Sequence, residues 1–160
     1  MTWTATARNP GVLMEPMLAD DLDAVLAIEH KSFSMPWTDT MFLSEMRQGP
    51  SSQLLVARLE KRPTTVVGYV GYRVVVDEMH VMILAVAPPW RRRGIAQHML
   101  SEAMEQARQA ACARAILEVR ASNLGAQQLY YRLGFAPVGV RPKYYMRPRE
   151  DALILWRDPL

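Results

Sequence analysis

The chain is 160 residues long, half of them hydrophobic, and carries a formal charge of +3 at pH 7. That length suits one domain with a real core. No apolar run reaches membrane-spanning length, because Pro, Arg or Asp interrupts every one. Cys112 is the only cysteine, which excludes an intrachain disulfide and argues against a zinc site. It lies among alanines on a helical pattern, as a packed small residue does. The N-terminal MTWTATARNPGV lacks the apolar centre of a signal peptide, so a cytoplasmic location is expected. His30, His80 and His98 show no metal spacing, and no metal is expected.

Met1 to Asn9 reads as a flexible extension, with a single domain over 10–160. Gly11 to Met17 predicts a first strand. Asp20 and Asp21 offer an N-cap for a helix over Asp21 to Ser32, with Leu22, Val25, Leu26 and Glu29 at helical spacing. Pro36 breaks that pattern. Thr38 or Asp39 can cap a short helix through Arg47, closed by Gly49 and Pro50. Leu54 to Leu59 and Thr65 to Val76 predict strands, the second with Gly68 and Gly71 marking a bend or a close backbone approach. After a turn at Asp77-Glu78, Met79 to Val86 is a near-continuous apolar strand, as for one buried on both faces.

Ile95, Met99, Leu100, Ala103, Met104 and Ala107 then recur at helical spacing. Ala115 to Val119 is a short strand. Ser122 or Asn123 caps a helix with Ala126, Leu129, Tyr130 and Leu133 on one face, and Gly134 fits its C′ position. Phe135 to Val140 and Ala152 to Trp156 pair as a hairpin across a long basic loop. The expected order is β-α-α-β-β-β-α-β-α-β-β. That is an α/β (α+β) fold with a mixed, mostly antiparallel sheet flanked by helices.

The stretch ILAVAPPWRRRGIAQHML is the most informative. A strand ends in a basic, glycine-containing turn that opens into a helix. The first helical N–H groups have no partner in the helix and sit at the positive end of its dipole, which makes an anion site. A P-loop would need a Gly-Lys pair, and the chain has none. A dinucleotide fingerprint would need three glycines near the first strand, and here a single one sits in mid-chain. A solvated basic helix start with no ligand is the remaining alternative.

Arg91, Arg92, Arg93, Gly94, Ile95 and Ala96 fit the pattern Gln/Arg-x-x-Gly-x-Gly/Ala, which resembles the acetyl-CoA pyrophosphate loop of the GNAT acyltransferase superfamily. The element order is similar too. LEVRASNLGAQQLYYRLGF (Leu117 to Phe135) resembles the RimI branch, the ribosomal-protein-alanine N-acetyltransferases. So do the Trp37 segment, Val74 to Glu78, and Tyr144 to Leu155. The resemblance implies acetyl-CoA as cosubstrate, with Leu84, Ala85 and Val86 along the pantetheine arm. Arg92, Arg93, Gly94, Ile95, Ala96 and Gln97 would hold the pyrophosphate, and Asn123 would contact the cofactor further along. Asn123 also reads as a plain N-cap, and the two roles are compatible. The implied substrate is the N-terminal alanine of the small-subunit ribosomal protein numbered eighteen, with neither membrane nor direct nucleic-acid binding expected.

Acetyl transfer to an amine needs the neutral amine and a proton for the departing thiolate. An α-amine of pKa ~7.7–8.0 is about one-tenth neutral at pH 7, whereas a lysine amine near ~10.4 is neutral about once in two thousand. A weak base therefore serves an N-terminus and serves lysine poorly. The resemblance makes Glu118 the base, acting through water or with a raised pKa. On pattern alone, a surface carboxylate paired with Arg120 or Arg114 competes with that role. Tyr130 is the acid by resemblance; a phenol of pKa ~10 can protonate a thiolate near ~8.5 if transfer is coupled to C–S cleavage. A core role also fits Tyr130.

Asp77 and Glu78 are candidates to receive a basic peptide, or a solvated turn. Trp37, Tyr144 and Tyr145 are candidates to shape a peptide groove, or packing residues. Two other functions compete: an acetyltransferase of the same fold for lysine, a polyamine or a drug, and a non-catalytic RNA- or ribosome-binding module using the basic loops.

Overall fold

The computed structural model describes residues 9–160. Most of the expected extension, Met1 to Arg8, lies outside the described residues. Asn9 does not: its Oδ1 accepts from Gly11 N–H at 3.0 Å and Val12 N–H at 3.1 Å, which fixes the start of the first strand.

The elements follow the expected order. β1 (Val12–Pro16) leads through a 3-10 turn into α1 (Leu22–Ser32) and α2 (Asp39–Met46). A meander follows, β2 (Ser52–Leu59), β3 (Arg62–Val75) and β4 (Glu78–Val86). Then come α3 (Ile95–Gln109), β5 (Arg114–Arg120), α4 (Leu124–Arg132), β6 (Ala136–Tyr145) and β7 (Glu150–Arg157). The seven strands form one sheet in the order β1-β2-β3-β4-β5-β7-β6, antiparallel except where β4 meets β5. No helix of the described residues is long and apolar enough to cross a membrane.

Strand alternation divides the core between the two faces. Leu54, Val56, Tyr69, Ile83 and Ala85 pack with Val25, Ile28 and Phe42 of α1 and α2. Leu55, Ala57 and Val70 pack on the other face with Met99, Leu100 and Ala103 of α3. The six residues spaced for the inner face of α3 are all buried. Cys112 is buried in the second cluster, and burial raises its thiol pKa. Gly68 and Gly71 mark close approaches. A Cβ at Gly68 would lie 2.9 Å from Ala85 O and from the Met99 methyl, and one at Gly71 would lie 2.7 Å from a Leu54 methyl.

Two local expectations need correction. Asp21 precedes α1 but makes no side-chain cap there. Its carboxylate accepts from Leu18 N–H at 2.8 Å and takes the Arg58 guanidinium in two bonds of 2.7 Å. Arg58, at 8% exposure, needs a buried anion more than the helix needs a cap. Thr38 does cap α2, accepting from Met41 N–H at 3.2 Å.

The second correction concerns the last hairpin. The segment expected as a long basic loop is mostly strand, since β6 runs to Tyr145 and β7 starts at Glu150. Pro142 misleads because it lacks a ladder donor, yet β6 is an edge strand where that loss is tolerated. The register also breaks between Arg141 and Tyr145, with Lys143 at φ 54°.

Candidate active site

The site lies where the sheet comes apart. β4 and β5 pair at three positions only, the last being His80 with Ile116. β4 also carries an extra residue at this point: Gly71 faces Ile83 and Tyr72 faces Val81, so Met82 forms a bulge. A bulge bends its strand and re-aims side chains. Beyond it the two strands separate, and Val81 to Leu84 face Leu117 to Arg120 across a cavity of about 540 Å³. The apolar run of β4 does pack on both faces of the sheet, Met79 and Val81 in the cluster of α3 and Ile83 and Ala85 in that of α1 and α2, while half-buried Met82 and Leu84 also line the opening.

Glu118 lies on the β5 wall. Its partner is neither Arg120 nor Arg114 but Arg141 of β6, at 3.6 Å, with the Glu118 side chain 27% exposed. Arg120 is held elsewhere, on Glu150 at 3.1 Å and on the carbonyls of Met146 and Pro148 at 2.9 Å. Arg114 faces Glu78 and Asp158. The arginine that competes for Glu118 is therefore Arg141 rather than Arg120 or Arg114, and Glu118 also lines the cavity.

Tyr130 of α4 borders the same cavity. Its ring is half-buried, edge-on to Phe135 at 5.9 Å. Among the described residues its hydroxyl has no hydrogen-bond partner. Burial pushes its pKa up to about 12, so it stays protonated. Tyr131, the next residue, is 42% exposed. Tyr145 completes this wall. Burial first, then Tyr144, Glu118 and Tyr130, raise its pKa to about 12, and the Arg120 guanidinium 4.5 Å from its ring centroid opposes them.

A second groove, of about 870 Å³, adjoins the first and shares Ser32, Phe33, Leu84, Asn123, Ala126 and Tyr130 with it. Ala85, Val86, Arg92, Gly94, Ile95, Ala96 and Gln97 also line it. Arg92 and Gly94 have φ of 61° and 79°, and the first bond within α3 runs from His98 N–H to Gly94 C=O, at 3.0 Å. The N–H groups of Ile95, Ala96 and Gln97 precede that bond. This basic turn with spare donors fits a pyrophosphate. Asn123 caps α4, accepting from Ala126 N–H at 3.2 Å, at the rim of both spaces.

Two of the three arginines have other partners. Arg91 donates through Nε to Val86 O at 2.9 Å and through Nη2 to Ser32 Oγ at 3.0 Å. Arg93 lies outside the groove lining, its guanidinium 4.8 Å from the centroid of the Trp90 ring.

Trp37, Tyr144 and Tyr145 line the first cavity, whereas Asp77 and Glu78 line neither space. Asp77 O accepts from Ala113 N–H at 2.7 Å, and Glu78 meets His80 at 3.0 Å. Sequence reasoning missed Arg141, masked by its position in an apparent loop. It also missed Glu29, which lines the first cavity and is 1% exposed. Glu29 sits on the apolar face of the predicted helix, and that was the only available signal.

The Acetyltransferase (GNAT) family profile matches residues 22–135. The chain is 35% identical over 140 residues to a Bacillus subtilis protein provisionally named a ribosomal protein bS18-alanine N-acetyltransferase, covering 88% of this chain and 91% of that one. It is 31% identical over 137 residues to the ribosomal protein bS18-alanine N-acetyltransferase of Escherichia coli, covering 84% and 89%. The crystal structure of the Escherichia coli ribosomal-protein-S18-alanine N-acetyltransferase superposes with a TM-score of 0.82 at 29% identity, over 92% and 94% of the two chains. With its parted sheet and spare helix-start donors, the chain belongs to the GNAT family, as an acetyl-CoA-dependent N-acetyltransferase homologous to protein N-terminal acetyltransferases.

Proposed function

We propose that this enzyme acetylates the N-terminal α-amine of ribosomal protein bS18, with Glu118 as base and Tyr130 as acid in a direct ternary mechanism. One observation carries the reading: the parting of β4 and β5 leaves Glu118 and Tyr130 on one cavity, which adjoins the groove at the start of α3. The substrate is taken from the relatives, which are named for acetylating the alanine of ribosomal protein bS18.

In this reading Arg92, Arg93 and the N–H groups from Gly94 to Gln97 hold the pyrophosphate of acetyl-CoA. Leu84, Ala85 and Val86 run beside the pantetheine arm, and Asn123 contacts the cosubstrate further along. Arg93 serves through its backbone, since its guanidinium lies over Trp90. Acetyl-CoA supplies the activated acyl group. Glu118 takes the proton of the attacking amine, directly or through a water. The Tyr130 hydroxyl gives its proton to the sulfur as the C–S bond breaks. About one-tenth of an α-amine is already neutral at pH 7, so a modest base suffices.

The test uses the bS18 N-terminal peptide, the same peptide with a blocked α-amine, and a lysine-bearing peptide. Mass and free thiol are followed with acetyl-CoA. Acetylation confined to the free α-amine is expected. Activity on lysine with none at the α-amine would overturn the substrate assignment, and salt-dependent RNA binding without acetyl-CoA affinity would overturn the enzyme reading altogether.

A further inference from the structure

The segment from Phe33 to Trp37 joins α1 to α2 without helix or strand. Phe33, Ser34, Met35 and Trp37 form one wall of the first cavity, which Glu118 and Tyr145 also line. A wall of irregular backbone needs tethers to keep one shape, and Pro36 removes one of its donors. Both ends of this wall are tied to a single residue. Phe33 N–H donates to the main-chain oxygen of Glu29 at 3.1 Å, and Trp37 N–H donates to its Oε1 at 2.9 Å. Tyr69 of β3 donates its hydroxyl to Glu29 Oε2, which fixes the carboxylate against the sheet.

Glu29 is 1% exposed and has no salt-bridge partner among the described residues. A buried carboxylate without a cation is costly. Both oxygens accept bonds from the fold, which leaves the carboxylate poorly placed to act as a base. We infer that Glu29 is a positioning residue that staples the 33–37 wall to the sheet and so sets the shape of the acceptor pocket and its preference for the first residue of the peptide. This inference rests on the proposed N-terminal acetylation for the identity of the acceptor, but the staple itself does not.

The geometry distinguishes three variants. Glu29→Leu keeps the volume but orphans Trp37 N–H and the Tyr69 hydroxyl. Glu29→Gln keeps the Oε1 acceptor for Trp37 and offers its amide to the Tyr69 oxygen. Tyr69→Phe frees one carboxylate oxygen and leaves the Trp37 bond.

The experiment measures KM and kcat for the acceptor amine the wild type uses, the Kd for acetyl-CoA, and hydrogen exchange at the Trp37 amide. Glu29→Leu is expected to raise the acceptor KM about tenfold or more, with acetyl-CoA Kd within about twofold. Its discrimination among Ala-, Ser- and Met-starting peptides should narrow, and the Trp37 amide should exchange about tenfold faster or more. Glu29→Gln should stay within about threefold of wild type, and Tyr69→Phe should fall between the two.

Unchanged Trp37 exchange in Glu29→Leu would overturn the staple. So would a loss in Glu29→Gln that recovers at high pH, because that is the signature of a base. Should Glu29→Leu fail to fold, Tyr69→Phe decides: an unaltered acceptor KM and unaltered Trp37 exchange overturn the inference. A wild type inactive on every N-terminal peptide would overturn the acceptor assignment, while the exchange data would still judge the staple.

Discussion

Replacing Tyr130 with Phe removes one oxygen and nothing else that the fold uses. The hydroxyl makes no hydrogen bond among the described residues, so its loss orphans no partner. The edge-on contact with Phe135 at 5.9 Å belongs to the ring and survives. Stability should therefore stay within about 0.5 kcal/mol. Turnover should not. Losing a general acid costs on the order of 10²–10⁴-fold, and a thiolate of pKa ~8.5 is a fair leaving group, which points to the lower end, about 10². That corresponds to about 2.7 kcal/mol of barrier.

The pH dependence sharpens the test. With its pKa pushed up to about 12, Tyr130 is ionised in about one molecule per thousand at pH 9. An unshifted phenol near ~10 would be ionised in about one of eleven. Wild-type kcat should thus hold level through pH 9.5, with no falling limb. The assay follows thiol release at saturating peptide from pH 6.5 to 9.5, beside thermal unfolding and acetyl-CoA Kd. Wild-type turnover in Tyr130→Phe would refute the reasoning. So would a rate loss matched by an equal rise in acetyl-CoA Kd.

Other consequences can be checked in the same way. Glu118→Gln should lose rate mainly near neutral pH and recover as the amine deprotonates at higher pH; a flat loss across the profile would make Glu118 structural. Asp21→Asn should destabilise by about 1–3 kcal/mol at pH 7, because it takes the charge from a buried, two-bond pair with Arg58, which keeps its 2.8 Å bond to Glu15. The Arg58 guanidinium holds the Asp21 carboxyl below its usual value, so that contribution exists above the unfolded pKa near 3.8. It disappears as pH falls through the lower folded value, and unfolding midpoints of the two proteins should converge in acid. Gly68→Ala should cost about 1–3 kcal/mol, since its methyl would meet the Ala85 carbonyl, and acetyl-CoA Kd should rise with it. Unaltered melting would refute the close approach.

Much of this architecture was legible because period and punctuation agreed. α3 was readable because Ile95, Met99, Leu100, Ala103, Met104 and Ala107 had one face to bury. Asn123 and Gly134 bracketed α4, and the glycines of β3 marked a bend or a close approach, of which the fold realises the second, against β4 and α3 at Gly68. The hairpin from Ala136 to Arg157 was only half visible, because Pro142 and the basic residues around it read as a loop. An edge strand follows weaker rules, with no partner on one side to enforce donors or alternation. Within the site, the resemblance named Glu118 and Tyr130, and the fold puts both on one cavity. Arg141 and Glu29 lie 23 and 89 residues from Glu118 in the chain. Their proximity to the cavity is created by strand pairing and helix packing, which no local pattern encodes. Arg91 shows the converse: a motif residue whose side chain turns to Val86 and Ser32.

The three-residue seam between β4 and β5 has a thermodynamic corollary. Past His80 and Ile116 the sheet lacks a ladder between these strands, so edge peptide groups there are left for solvent to satisfy. On the proposed reading, acetyl-CoA lying in the opening would take up those groups as a missing strand does. The sheet then divides into β1 to β4 and β5 with β7 and β6, joined through the three β4–β5 pairs, and a ligand bridging both parts would stiffen the protein as well as seat the reactant. By mass action, cosubstrate at a hundred times its Kd adds about 2.7 kcal/mol to folding.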